Sequence, residues 1–144
     1  MNYGHVIVPP TRIIYQVFEG AFSADQLVAC TRRLWSDPAY SRLYNGITDV
    51  SCMAPGATLE NLQGLTAFLK HEPQLSQGRW AVITSTPIAT AGAMLYKREM
   101  AAHHPFGVFS TWEAACAFLQ LDLPTRPSPS FFPDLSDTAA NPVV

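Results

Sequence analysis

Charged side chains are scarce in this chain. Asp, Glu, Lys and Arg make up 14% of its 144 residues, whereas hydrophobic residues make up 48%. Soluble domains typically carry about 25% charged residues. A surface with so few charges is typical of proteins that contact a partner subunit or an apolar ligand. At this length we expect one domain with a sizeable core.

Clusters of basic residues are lacking as well. The formal net charge is -2, and the closest basic pairs are Arg32-Arg33 and Lys97-Arg98. Nucleic-acid binding requires several Lys or Arg side chains that neutralise phosphates. The sequence therefore argues against a nucleic-acid partner.

Long apolar runs and paired cysteines are missing too. No run approaches the roughly 18 apolar residues of a membrane span, and the opening MNYGHVIVPP lacks the basic region of a signal peptide. The three cysteines, Cys30, Cys52 and Cys116, are far apart and form no C-x-x-C motif. We expect them to be buried free thiols in a cytoplasmic protein.

Two hydrophobic periodicities alternate along the chain and predict strands and helices in turn. The predicted strands cover residues 5–8, 12–20, 47–51, 79–87 and 106–111. The first should lie at a sheet edge because Pro9-Pro10 follows it, and Asn45-Gly46 should form the turn before the third. Strands that alternate with helices predict an α/β fold, with a mostly parallel sheet and helices packed on it.

Hydroxyl side chains mark the expected helix starts. The expected N-caps are Thr58, Thr90, and Ser23 and Ser110, the last two with capping-box partners Gln26 and Glu113. The helix that follows Thr90 should run to about His104, before Pro105. The domain is expected to span residues 1–122.

Prolines dominate the remaining residues. Their density predicts an irregular Pro-rich tail over residues 123–144. Within it, Phe131 and Phe132 form an apolar island flanked by Pro and Asp. This island is expected either to dock on a partner as a peptide or to fold back over the domain's own groove.

Four segments, in this order, resemble the STAS-like domains, and in particular the SpoIIAA-like family of small bacterial proteins. The segments are FEGAFSADQL, DPAYSRLYNGITDVS, GRWAVITSTPIATAGAMLYK and GVFSTWEAACAFL, and the resemblance covers roughly residues 5–122. It implies a regulatory or binding role rather than a characterised enzymatic one. Better-known relatives bind partner proteins, some under the control of a kinase, and others sit on anion transporters. A distant similarity to lipid-carrier domains also belongs to this resemblance.

In the kinase-switched relatives, a strand that ends in Asp-x-Ser is followed by an Asp-Ser-Ser-Gly turn whose serine takes the phosphate. Asp49 and Ser51 match the strand end, but the following APGATLEN has no such turn. Thr58 is the only hydroxyl nearby, so it is either a phosphoacceptor or, as favoured here, a helix N-cap.

Asp49 and Ser51 are also candidates for chemistry or ligand binding, since ligands of open α/β sheets collect beyond the carboxyl ends of strands. Nucleophilic catalysis would need a base within reach of the serine, and none of the four histidines is expected at a strand end. We therefore expect Asp49 and Ser51 to hydrogen-bond loop amides. No catalytic residue is predicted, and an enzyme, with Asp49 as its one candidate group, is the least favoured reading.

Metal binding is not predicted either. His103 and His104 are adjacent, so a regular helix points them to different faces. We expect both at a solvated helix end. No cofactor is predicted.

Four hydroxyls cluster before the third predicted helix: Thr84, Ser85, Thr86 and Thr90. Free N–H groups at a helix N-terminus attract anions, so a small anionic ligand is one interpretation. Capping by Thr90 beside an ordinary turn at Pro87 is the favoured alternative.

The third predicted helix has more apolar surface than one buried face requires. Met94, Tyr96 and Met100 are candidate contacts for a protein partner or for self-association as a homodimer, with burial in the core as the alternative. The sequence thus favours a non-enzymatic regulatory or protein-binding module of the STAS-like type. The runner-up is a carrier of a lipid-like or anionic ligand in an apolar slot between helices, gated by the loops at 52–58 and 84–90.

Overall fold

The computed structural model describes residues 1–54 and 59–122 of the chain, and the predicted N-cap Thr58, the tail 123–144 and both of its phenylalanines lie outside that part. In the described ranges the chain forms five β-strands and four α-helices. In chain order they are β1 (Asn2–Val8), β2 (Ile13–Gly20), α1 (Ala24–Trp35), β3 (Asn45–Met53), α2 (Leu59–Leu69), β4 (Trp80–Ile83), α3 (Pro87–Met100), β5 (Phe106–Phe109) and α4 (Trp112–Leu119).

The strands form one sheet in the order β1-β2-β3-β4-β5. β1 is antiparallel to β2, and the remaining neighbours are parallel. A short turn at Pro9–Thr11 joins the first two strands, and Arg12 takes the left-handed conformation that completes it. The predicted α/β fold with a mostly parallel sheet is confirmed, and β1 lies at the predicted edge.

Helices cover the two faces of the sheet unequally. One face packs Ile47, Ala81 and Ile83 against Trp112 and Leu119 of α4. The opposite face carries α1, α2 and α3, and there Leu27, Cys30 and Leu34 of α1 pack with the other set of alternating strand residues. All four residues of β4 are buried, as expected for a central strand covered on both faces. None of the helices in the described ranges is long and apolar enough to cross a lipid bilayer.

The predicted turn at Asn45-Gly46 is wrong, because both residues belong to β3. A Cβ atom on Gly46 would lie 2.5 Å from the Trp80 ring, so the glycine serves packing across the sheet rather than a reversal of the chain. β3 also continues to Met53, which places Asp49 and Ser51 inside the strand instead of at its end.

Two of the expected N-caps are shifted. α3 begins at Pro87 with Thr86 as its cap, not Thr90, because proline suits the first turn of a helix. α4 is capped by Thr111, whose side chain accepts a hydrogen bond from the first turn, and not by Ser110. The capping box of Ser23 and Gln26 is confirmed.

Burial departs from expectation at two residues. Cys30 and Cys116 are buried, but Cys52, beyond a register shift between β2 and β3, is exposed. His104 was expected at a solvated helix end and is instead buried at 5% exposure. The reason is that α3 already ends at Met100, so His104 lies in the turn that leads into β5.

Candidate functional site

A large cavity separates the sheet from α1, α2 and α3. Its volume is about 390 Å³, and it is partly open to the surface. Ligand pockets typically span about 300–1,000 Å³. The cavity therefore has the size of a ligand site.

The sequence of α3 explains why this space stays open. Its residues that line the cavity include Ala89, Gly92 and Ala93, which have little or no side chain. A Cβ atom added to Gly92 would meet nothing within 4 Å. On the other face of the sheet, α4 carries Trp112 and Leu119 and its contact is filled. Small residues at the helix surface thus leave the gap that larger ones would close.

The walls of the cavity are mainly aliphatic and aromatic. They include Phe18, Leu27, Val50, Leu65, Leu69 and Val82. Lys70, which directly follows α2, forms an ion pair with Glu99 of α3 at 2.9 Å. An apolar wall of this kind favours an apolar occupant, since burial of its surface is worth about 25 cal/mol per Å².

The mouth of the cavity lies at the first turn of α3. Ile88 lines the cavity and is nevertheless 61% exposed. Met53 and Ala54, at the end of β3, line it as well. The two loops that the sequence analysis named as gates, 52–58 and 84–90, therefore both contribute residues to the cavity, as far as they are described.

A chain of hydrogen bonds runs from the protein surface to the floor of the cavity. His5 Nε2 lies 2.9 Å from Asp37 Oδ2, and His5 Nδ1 lies 3.2 Å from Tyr3 Oη. Tyr3 Oη donates to Gln16 Oε1 at 3.0 Å, and Gln16 Nε2 donates to Thr48 Oγ1 at 2.9 Å. Gln16 and Thr48 are paired across β2 and β3 and both line the cavity.

Hydrogen bonds are donated in two directions along this chain. The backbone N–H of Ala39 and the His5 ring hold the pKa of Asp37 below its ordinary value, so Asp37 is a carboxylate that accepts. Burial raises the pKa of Tyr3 well above its ordinary value, so Tyr3 keeps its proton, which it donates to Gln16. From Tyr3 inward, each side chain donates to the next, and Thr48 is the last acceptor.

Three further polar side chains in the lining have partners, whereas the Tyr96 hydroxyl has none among the described residues. Thr31 Oγ1 donates to the Leu27 carbonyl at 2.9 Å, and Tyr40 Oη donates to the Gln74 carbonyl at 2.6 Å. His104 Nδ1 lies 3.3 Å from the Pro105 carbonyl, and burial lowers the pKa of the imidazole. No Lys, Arg, Asp or Glu belongs to the lining formed by the described residues.

Asp49 and Ser51 lie apart from the cavity. Asp49 is 2% exposed; its Oδ1 accepts from the Ser51 amide at 2.9 Å and from Ser51 Oγ at 2.6 Å. Tyr15 Oη donates to Asp49 Oδ2 at 3.4 Å. These bonds lie within the strand and reach β2, because β3 extends past both residues.

The four hydroxyls, three before α3 and Thr90 in its first turn, come together at the carboxyl end of β4. Thr84 and Thr90 share a hydrogen bond of 2.8 Å, and Ser85 Oγ donates to the Ser51 carbonyl at 2.6 Å. Thr86 accepts from the helix as its cap, and Thr90 donates to the Thr86 carbonyl. All four have partners within the protein, and an anion at this place stays a prediction.

The predicted partner contacts on α3 have three different surroundings. Met94 is 49% exposed, whereas Met100 is completely buried and offers no surface in this fold. Tyr96 packs on His104 and Phe106 at the cavity, and burial raises its pKa. Of the three, Met94 alone presents substantial surface.

Gln16 and Thr48 are not among the site residues predicted from the sequence. A signal was available, because each is the polar residue of an otherwise apolar strand face. Recognising that they are paired required the register of β2 and β3.

The described residues contain no group of three His, Cys, Asp or Glu side chains that could hold a metal ion. No protein-family model matches the chain, and neither a curated protein nor a solved structure matches it.

Proposed function

We propose that this protein binds a small, mainly apolar ligand in the cavity between the sheet and α1, α2 and α3. The observation that carries the proposal is a cavity of about 390 Å³ with aliphatic and aromatic walls. A volume of this size lies within the range of pockets that bind small ligands. This is the carrier role that the sequence analysis ranked second, with the apolar rather than the anionic ligand favoured.

The shape of the site supports binding and release. Ile88 lines the cavity and is 61% exposed, so we expect a ligand to enter beside it without unfolding of the core. The opposite face of the sheet, packed against α4, supplies the rigid support that a preformed pocket needs.

The test is a titration of the intact chain with an apolar fluorophore such as N-phenyl-1-naphthylamine. Gly92→Leu would fill the cavity, and Gly92→Ala, which adds one methyl group to the same open space, is the matched variant. We expect saturable binding of one dye molecule to the natural chain, a small change for Gly92→Ala and a loss of at least about tenfold for Gly92→Leu. Equal dye binding by all three chains, or no binding by any, would refute the proposal.

A second candidate is the regulatory, protein-binding role implied by the resemblance to STAS-like domains. It is supported by the exposure of Met94 and Ile88, two large apolar residues on α3. Sedimentation of the intact chain over a range of concentrations tests self-association, with Met94→Lys compared to Leu43→Lys, an exposed leucine outside α3. Weaker association for Met94→Lys alone is expected. A monomer at every concentration that also copurifies with no protein would contradict this role.

A further inference from the structure

The chemical class of the ligand can be inferred from the floor of the cavity. The floor carries two polar side chains, Gln16 and Thr48, which lie opposite each other on β2 and β3. Apolar residues surround them, among them Phe18, Val50 and Val82. Two polar groups in such a setting fix the orientation of a ligand whose body binds through apolar contacts.

The hydrogen-bond chain decides which atoms of these two side chains are left for a ligand. Tyr3 Oη donates a hydrogen bond to Gln16 Oε1, and Gln16 Nε2 donates one to Thr48 Oγ1. The donors that remain are the O–H of Thr48 and the second N–H of Gln16, and each of the two oxygens keeps one lone pair. Among the described residues neither hydrogen has an acceptor. An unpaired buried donor is less well tolerated than an oxygen that has already accepted one hydrogen bond, so the floor favours an acceptor.

The surroundings also favour a neutral acceptor on the ligand over a charged one. A carboxylate would lose its hydration inside the cavity, and the described lining contains no Lys or Arg to replace it. Burial keeps His104 in its neutral form more strongly than usual, so the imidazole adds no positive charge near pH 7. A neutral acceptor avoids this cost.

We propose that the ligand is a neutral, mainly aliphatic molecule with one carbonyl oxygen, which accepts hydrogen bonds from Thr48 Oγ1–H and the amide of Gln16. Tyr3 does not touch this ligand; it is a positioning residue that donates to Gln16 Oε1 and so holds the Gln16 amide in the orientation that leaves donors at the floor. This inference rests on the proposed function and adds the headgroup to it.

The experiment uses three ligands with chains of about eight carbons, a length that the cavity volume allows: 2-octanone, octanoate and octane. Each displaces the apolar fluorophore from the intact chain, so that one assay compares all three. We expect 2-octanone to bind more tightly than either octane or octanoate. Tighter binding of octanoate than of 2-octanone would overturn the neutral class, and equal binding of octane and 2-octanone would overturn the polar contact.

Thr48→Val removes the hydroxyl and keeps the shape, and Thr48→Ser keeps the hydroxyl. We expect Thr48→Val to weaken binding of 2-octanone about three- to tenfold, the usual effect of one hydrogen bond, without weakening binding of octane. Thr48→Ser should retain the preference for the ketone. Thr66→Val is the control, because Thr66 is buried in α2, donates to the Gln63 carbonyl and does not line the cavity.

The outcomes separate the two proposals. If the fluorophore and octane bind but Thr48→Val leaves the affinity for 2-octanone unchanged, the headgroup assignment is wrong and the cavity remains a ligand site. If neither the fluorophore nor any of the three ligands binds the natural chain, the proposed function itself fails and the headgroup assignment falls with it.

Discussion

At the residue scale, two glycines have opposite packing environments. A Cβ atom on Gly46 would lie 2.5 Å from the Trp80 ring, whereas one on Gly92 would meet no atom within 4 Å. Gly46 lets two strands pack side by side, and Gly92 leaves a cavity open beneath a helix. The same methyl group should therefore have opposite effects on stability at the two positions.

We predict that Gly46→Ala lowers the free energy of unfolding by about 1–3 kcal/mol, because the ring of Trp80 must move to admit the methyl group. Gly92→Ala should raise it by up to about 1 kcal/mol, because alanine is the better helix former and no atom stands in its way. Urea denaturation of the two variants and the natural chain measures both effects. Equal effects of the two substitutions would contradict the packing described for Gly46.

His104 is the residue that should make stability depend on pH near neutrality. Burial lowers the pKa of its imidazole from the usual 6.5, so the unfolded chain binds this proton more readily than the folded one. The contribution of a neutral, buried His104 is therefore complete above pH 6.5 and is lost as the pH falls from 6.5 through the folded pKa.

We predict that the free energy of unfolding of the natural chain decreases between about pH 7.5 and about pH 5.5, and that His104→Phe removes part of this decrease. Phenylalanine suits the site because Tyr96 and Phe106 already pack on the imidazole. Denaturant titrations at both pH values measure the change. His103→Gln is the control, since His103 is exposed; the same reduction in both variants would count against a special role for His104.

At the element scale, the helix starts depend on single hydroxyls. α4 is short, with eight residues, and its cap is Thr111, which accepts a hydrogen bond from the Ala114 amide at 3.1 Å. We predict that Thr111→Ala lowers the free energy of unfolding by about 0.5–2 kcal/mol, measured by urea denaturation. Ser110→Ala, at the residue that sequence spacing favoured, should change it by less than about 0.5 kcal/mol. A larger loss of stability for Ser110→Ala than for Thr111→Ala would indicate that Ser110 is the cap instead.

Local sequence signals predicted the order of the elements but not all of their bounds. The side chain of each of Ser23 and Gln26 accepts a hydrogen bond from the backbone N–H of the other, so their spacing alone was sufficient to predict the start of α1. Asn45-Gly46 is a typical turn pair, yet Gly46 is needed because Trp80, which lies 34 residues later, packs against it. Contacts of that kind are set by the pairing of β3 with β4, which no local pattern encodes.

At the scale of the whole molecule, the two faces of the sheet differ in how completely they are filled. α4 packs its large residues directly against one face, while the small residues of α3 leave about 390 Å³ open on the other. The sequence predicted an apolar slot only as an alternative, because the size of a gap depends on the distance between helix and sheet. Its polar floor at Gln16 and Thr48 depends on strand register in the same way.

The central claim is that an apolar ligand occupies this cavity, and methyl NMR of the intact chain with added 2-octanone tests it most directly. Saturable shifts are predicted for the methyl groups of Leu65, Val82 and Ile88, which line the cavity. The methyl groups of Ile47 and Leu119, packed between the sheet and α4, should shift little. Shifts confined to that second group, or no saturable shifts in the first, would contradict the account.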